Sequence, residues 1–138
     1  MALQYSVLVR NAKLDAVETE VGAAPLIEIR VGSPPSACSD PATGALLIYE
    51  ALPSDWMNPA AAGAMTKLGT WTLTGLTGIT TSDAGYFRIN KPGSPSECDI
   101  QGTITATAGG GDMTMDNISI AAAQVVTVNT FTLTAGNA

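Results

Sequence analysis

The sequence predicts a mainly β protein, an antiparallel β-sandwich or jelly-roll-like barrel with one N-terminal α-helix. Three observations carry that prediction. Seven short segments are rich in apolar residues, most alternating apolar and polar with period two, as strands with one buried face do. Gly- and Pro-rich stretches separate them, as turns between short strands do. Only residues 6–21 have helical spacing.

Taken in order, Ser6 caps the helix, because a Ser oxygen can accept from an N–H left unpaired in the first turn. Val7, Leu14, Val17 and Val21 fall near one face, and Leu14, Val17 and Val21 are expected to pack on the β core. Arg10, Lys13, Glu18 and Glu20 point elsewhere. Gly22 suits the position just past the helix end, and Pro25 prevents continuation. Next, Ile27, Ile29 and Val31 oppose Glu28 and Arg30, the pattern of a half-buried strand. Residues 45–52 are a more continuous apolar run, as expected of a central strand. Residues 53–67 are too long for a tight turn and read as a surface loop, with a short helical turn at residues 58–64.

Residues 69–74 set Trp71 and Leu73 against threonines, and residues 86–90 set Phe87 and Ile89 against Tyr86 and Arg88. Residues 97–108 set Cys98, Ile100, Ile104 and Ala106 against Glu97, Asp99, Thr103 and Thr105. Gly109-Gly110-Gly111 marks a turn before residues 112–117, which carry Met113 and Met115. In residues 125–134 the apolar parity shifts from Val126 and Val128 to Phe131 and Leu133. A bulge or a change of sheet near Asn129-Thr130 accounts for that shift. No repeat or linker divides the chain, so residues 1–138 read as a single domain.

Charged residues make up 13% of the chain against 46% apolar ones, where about 25% charged is typical. Much of the surface must therefore be covered by small polar residues, seventeen threonines among them, which suits permanent contact with other protein. The net charge is −6, and the six basic residues are scattered, so no basic stripe is available to neutralise phosphates. Direct nucleic-acid binding is not expected. No segment approaches the ~20 continuous apolar residues of a membrane span. Met1-Ala2-Leu3-Gln4-Tyr5 does not have the pattern of a signal peptide.

Histidine is absent, which removes the commonest general base and the commonest metal ligand. Two cysteines cannot supply the four ligands of a structural zinc site. The sequence therefore assigns no catalytic, cofactor-binding or metal-binding residue, and no enzymatic activity is expected. A carboxylate pair among the twelve acids could in principle run a glycosidase, but nothing singles one out. Asp55 beside Trp56 looks mildly like a sugar-binding edge; the plainer expectation is that Trp56 and Trp71 plug the core or a subunit contact. Gly109-Gly110-Gly111-Asp112 with Asp116-Asn117 is faintly similar to Gly/Asp-rich calcium repeats, but it occurs once, and a Gly-rich hairpin is favoured. The small apolar stretch at residues 59–65 either packs under a neighbouring loop or forms an exposed patch that docks on a partner. The contact candidates are Trp56, Met57, Ala61, Ala62 and Met65, with the Thr-rich strands near residues 70–81.

Several segments, in this order, resemble a known group. They are Arg10-Asn11-Ala12-Lys13-Leu14-Asp15-Ala16-Val17, then Leu26-Ile27-Glu28-Ile29-Arg30-Val31-Gly32-Ser33-Pro34-Pro35, then Ala45-Leu46-Leu47. Ala84-Gly85-Tyr86-Phe87-Arg88-Ile89 and Thr127-Val128-Asn129-Thr130-Phe131-Thr132-Leu133-Thr134-Ala135-Gly136 follow. The whole is similar to small proteins of tailed bacteriophages and prophages whose genes lie among virion structural genes. The resemblance covers roughly residues 5–136 and implies a structural virion protein. A capsid decoration or cement protein on the outer surface of the head is favoured, made in the bacterial cytoplasm. Its implied partners are the major capsid protein and itself, as a trimer before a dimer. The alternative is a tail, baseplate or fibre component with carbohydrate binding. Folding in a reducing cytosol would leave Cys38 and Cys98 as free thiols, although a bond between the two is open.

Overall fold

A computed structural model describes residues 1–94 and 97–136; Pro95 and Ser96, within the second cysteine-bearing stretch, lie outside the described residues. Helix α1 spans Val7–Val21, and its N-cap Ser6 accepts a hydrogen bond from Val9 N at 3.3 Å. Gly22 ends the helix with φ +91°, its N–H on Glu18 O. Leu14 and Val21 are buried and Val17 packs partly against the same cluster. Val7 departs from the expected face: it is half exposed.

Ten strands follow. They are β1 (Leu26–Arg30), β2 (Leu46–Ala51), β3 (Ala64–Thr66), β4 (Trp71–Thr74), β5 (Ser82–Asp83), β6 (Tyr86–Asn90), β7 (Ile100–Ala106), β8 (Met113–Met115), β9 (Ser119–Ile120) and β10 (Val125–Thr134). The main sheet has the order β2-β1-β6-β7-β8-β10-β3, with β4 also on β10, and β5 and β9 form a separate two-stranded ribbon. β3 and β4 act as one interrupted strand along β10: β3 pairs with residues 132–134 and β4 with residues 125–128, both antiparallel.

The long sheet folds over on itself. Phe87 on β6 meets Phe131 on β10 edge to face at 5.5 Å, although two strands separate them in the sheet. Phe131 meets Trp71 at 5.5 Å, and Trp71 meets Trp56 at 6.2 Å. These rings form the middle of a sandwich-like core, where each buried aromatic contributes more than its area alone. The sheet is not closed into a barrel. Its edges approach where Leu76 N donates to Leu47 O at 2.8 Å and Glu50 Oε1 accepts from Thr74 N at 3.0 Å. These bonds occupy edge groups that would otherwise be open to another strand.

The parity shift in β10 is a register shift between Val128 and Thr130 against β8, so Val126, Val128 and Phe131 all point inward. The 45–52 run, expected as a central strand, is β2 at the end of the sheet order, and β1, expected to be half-buried, has Glu28 buried along with Ile27 and Ile29. Three further expectations need correction. First, residues 58–64 form no helical turn; they belong to a tight hairpin that leads into β3. Second, the glycine turn does not make an antiparallel hairpin, since β7 and β8 are parallel. Residues 107–112 double back along β7, and Gly111 lies so close to it that an added Cβ would sit 2.9 Å from Thr105 N. Asp112 holds this return by accepting from Thr103 N and Thr103 Oγ1, both at 2.8 Å. Third, β6 does not alternate between core and solvent: all five of its residues are buried. Among the described residues no helix is long and apolar enough to cross a membrane.

Candidate functional site

The five expected contact residues separate into two groups. Trp56, Met57 and Met65 are 0–1% exposed and belong to the core, so they offer no surface to a partner. Trp56 Nε1 donates to Gly22 O at 3.1 Å, which ties this loop to the end of α1. With its ring enclosed, Trp56 has no face on which a sugar could stack. Ala61 and Ala62 are exposed at a hairpin tip. There Ala61 and Ala64 exchange backbone hydrogen bonds at 2.9 Å, and Ala62 and Gly63 both have positive φ (+52° and +76°). Two consecutive positive values match the twist of a two-residue hairpin turn. A Cβ at Gly63 would also meet the Arg10 guanidinium at 2.2 Å and push that flexible side chain aside.

Helix α1 is fastened to this hairpin mainly through polar side chains. Asn11 Oδ1 accepts from Gly63 N at 2.8 Å, Asp15 Oδ1 from Ala60 N at 3.0 Å and Glu18 Oε1 from Met57 N at 3.3 Å. Arg10 Nε donates to Ala135 O. Residues 11, 15 and 18 share one helix face by their spacing of four and three. Burial raises the Glu18 carboxyl above its ordinary value, against the lowering effect of the Met57 N–H. The 59–65 stretch therefore packs under α1 in part and is exposed at its tip in part.

Exposed apolar side chains gather elsewhere. Among the described residues the exposed large hydrophobic side chains are Met1, Leu3, Tyr5, Val7, Leu8, Val9 and Val125. All but Val125 precede Arg10, and Leu8 is 80% and Leu3 68% exposed. The segment contains no charged side chain before Arg10 and no carboxylate before Asp15. Sequence reasoning missed it, although a signal was present. Val7-Leu8-Val9 are consecutive, and three consecutive helical residues span too wide an arc to share one buried face.

A third feature is a strap, residues 31–45, laid over the outer face of β1, β6 and β7. Arg88 Nη2 donates to Cys38 O (2.8 Å) and Asp40 O (2.7 Å), while Arg88 Nε donates to Gln101 Oε1 at 3.2 Å. Gln101 Nε2 donates to Pro35 O at 2.7 Å and Arg30 Nη1 to Gly44 O at 3.0 Å. Tyr86 Oη donates to Thr43 O and accepts from Thr43 N at 3.0 Å. Beneath the strap, Glu28 lies opposite Arg88 across β1 and β6 and accepts from Arg30 Nε at 3.3 Å. Glu28 and Arg88 are 7% and 4% exposed, so each charge depends on these partners. At one edge of the strap Cys98 Sγ donates to Cys38 Sγ at 2.8 Å. An open cleft of about 350 Å³ lined by Cys38, Ser39, Glu97, Cys98 and Asp99 reaches both sulfurs.

The oxygens of the calcium-like stretch already hold backbone amides. Asp112 binds Thr103 N, Asp116 Oδ1 accepts from Thr127 N at 2.9 Å, and Asn117 Oδ1 from Ser119 N at 3.0 Å. Among the described residues no three Cys, Asp or Glu side chains are grouped so as to hold a metal ion. No family model, curated protein or solved structure matches the chain.

Proposed function

We propose that this chain is a structural virion protein that decorates the outside of a tailed-phage head, and that residues 1–9 dock it onto the major capsid protein. The observation that carries this reading is the gathering of exposed large apolar side chains into that one segment. A lone soluble domain rarely keeps such a patch free unless something covers it. The order of phage-like sequence segments supports a virion setting, and the net charge of −6 favours the outer surface over the DNA-filled lumen. Assembly as a trimer would place three such segments on one side of the oligomer. Each contact need bury only a modest area, since about 1,600 Å² in total is ordinary for a stable interface. Repetition over a symmetric shell would turn that area into resistance to internal pressure.

Cosedimentation with undecorated capsids tests the docking. Leu8→Asp should abolish binding while leaving the circular dichroism spectrum unchanged. Ala61→Glu should weaken it if the hairpin tip shares the contact. Gel densitometry of purified virions tests the location. A decoration protein is expected in hundreds of copies. A count of about three to a dozen, matching tail symmetry, would replace this reading with a tail component.

A further inference from the structure

We propose that Cys38 and Cys98 are a built oxidation site: on meeting a small-molecule disulfide they form an intramolecular disulfide that locks the 31–45 strap to the entry of β7. The sulfurs are 60 residues apart in sequence yet 2.8 Å apart in space. Both cysteines are free and half-buried, and the cleft beside them admits a small reagent. The backbone around them is already held from independent directions. Arg88 grips the carbonyls of Cys38 and Asp40, Gln101 grips Pro35, and Lys91 N donates to Asp99 Oδ2 at 2.8 Å next to Cys98. Little motion is needed to bring the sulfurs to bonding distance.

Burial, then the contact with Cys38, push the Cys98 thiol up to about 12. One of the two sulfurs, as its thiolate, displaces one half of the reagent RS–SR, forming a mixed disulfide and releasing RS⁻. The other yields its proton to the released thiolate and displaces the second RS⁻ from the first sulfur. In sum, two cysteine thiols and RS–SR give one protein disulfide and two RSH; the protein loses two electrons and two protons, and the reagent gains them. A chain folded as thiols in a reducing cytosol would acquire this bond on reaching an oxidising medium.

The test treats the purified, reduced full chain with oxidised glutathione. Thiols are then titrated in denaturant without reductant, alongside intact mass and a melting curve. Expected are the loss of both thiols, a mass lower by two hydrogens and no added glutathione. The melting temperature should rise by about 10 °C and revert with dithiothreitol, because the bond closes a long loop. Cys38→Ser should retain a single thiol or carry one glutathione, with no rise in melting temperature. Two persistent thiols, two glutathione adducts, or a disulfide-linked dimer from the wild-type chain would each overturn the proposal. Thiol count and mass of the wild-type chain distinguish these outcomes even if the variant folds poorly.

Discussion

The two coverings of this sheet are fastened with opposite polarity. On one side α1 presents acceptors, Asn11, Asp15 and Glu18, to backbone N–H groups of the hairpin that leads into β3. On the other side the sheet presents donors, chiefly Arg30, Arg88 and Gln101, to backbone carbonyls of the strap. In each place irregular backbone lies against the fold, and side chains supply the partners that a regular ladder would supply. The difference is in burial. The helix contacts sit at the margin of the core, where Leu14 and Val21 supply apolar packing as well. The strap rests on a charged group, Arg88, that is itself buried and faces Glu28. Three acceptors converge on that one guanidinium, so the strap should depend on a single residue more heavily than the helix depends on any one of its polar bonds.

That contrast can be broken most directly at Arg88. Arg88→Ala would leave the Cys38 and Asp40 carbonyls and the Gln101 amide oxygen without their donor, at a cost of about 3–5 kcal/mol by denaturant unfolding. A loss below about 1 kcal/mol would show that water replaces the guanidinium and that the strap is a surface loop. Next comes the apolar part of the helix contact. Leu14→Ala should cost about 2–5 kcal/mol, and a loss under about 0.5 kcal/mol would mark α1 as an arm held only by its polar bonds.

Asp15→Ala removes one acceptor from a half-open margin, where water can reach Ala60 N. Its expected cost is about 1 kcal/mol, well below that of Arg88→Ala. Equal losses at the two positions would erase the distinction between the coverings. The smallest effect is at the solvent-exposed Glu20–Lys91 pair, which links α1 to the end of β6. The hydrogen bond from Lys91 Nζ, then its charge, holds the Glu20 carboxyl below its ordinary 4.5. Because the folded value is depressed, the pair's small contribution is present above about pH 4.5 and is lost as pH falls through the folded value. An NMR titration of Glu20 should show the depression, and Lys91→Met should return it to the ordinary value.

Local pattern carried a large part of this architecture. Ser6 and Gly22 bound the helix because caps act on neighbouring backbone groups. The alternation in residues 26–31 and 71–74 and the parity break at Asn129 appear as strands and a bulge, because a strand's faces follow from its own period of two. Tertiary structure alone decided the rest. Tyr86 and Arg88 read as a solvent face until a strap 40-odd residues earlier in the chain covers them, and no local period records a covering made elsewhere. Trp56, Met57 and Met65 read equally well as contact residues or core, since burial depends on what α1 and β10 bring against them. The parallel pairing of β7 with β8 rests on a return that Asp112 and Thr103 stabilise across nine positions, a contact that turn-forming glycines do not specify. The meeting of Cys38 and Cys98 is of the same kind. Composition supplied two thiols, and only the packing of two distant loops brought their sulfurs together.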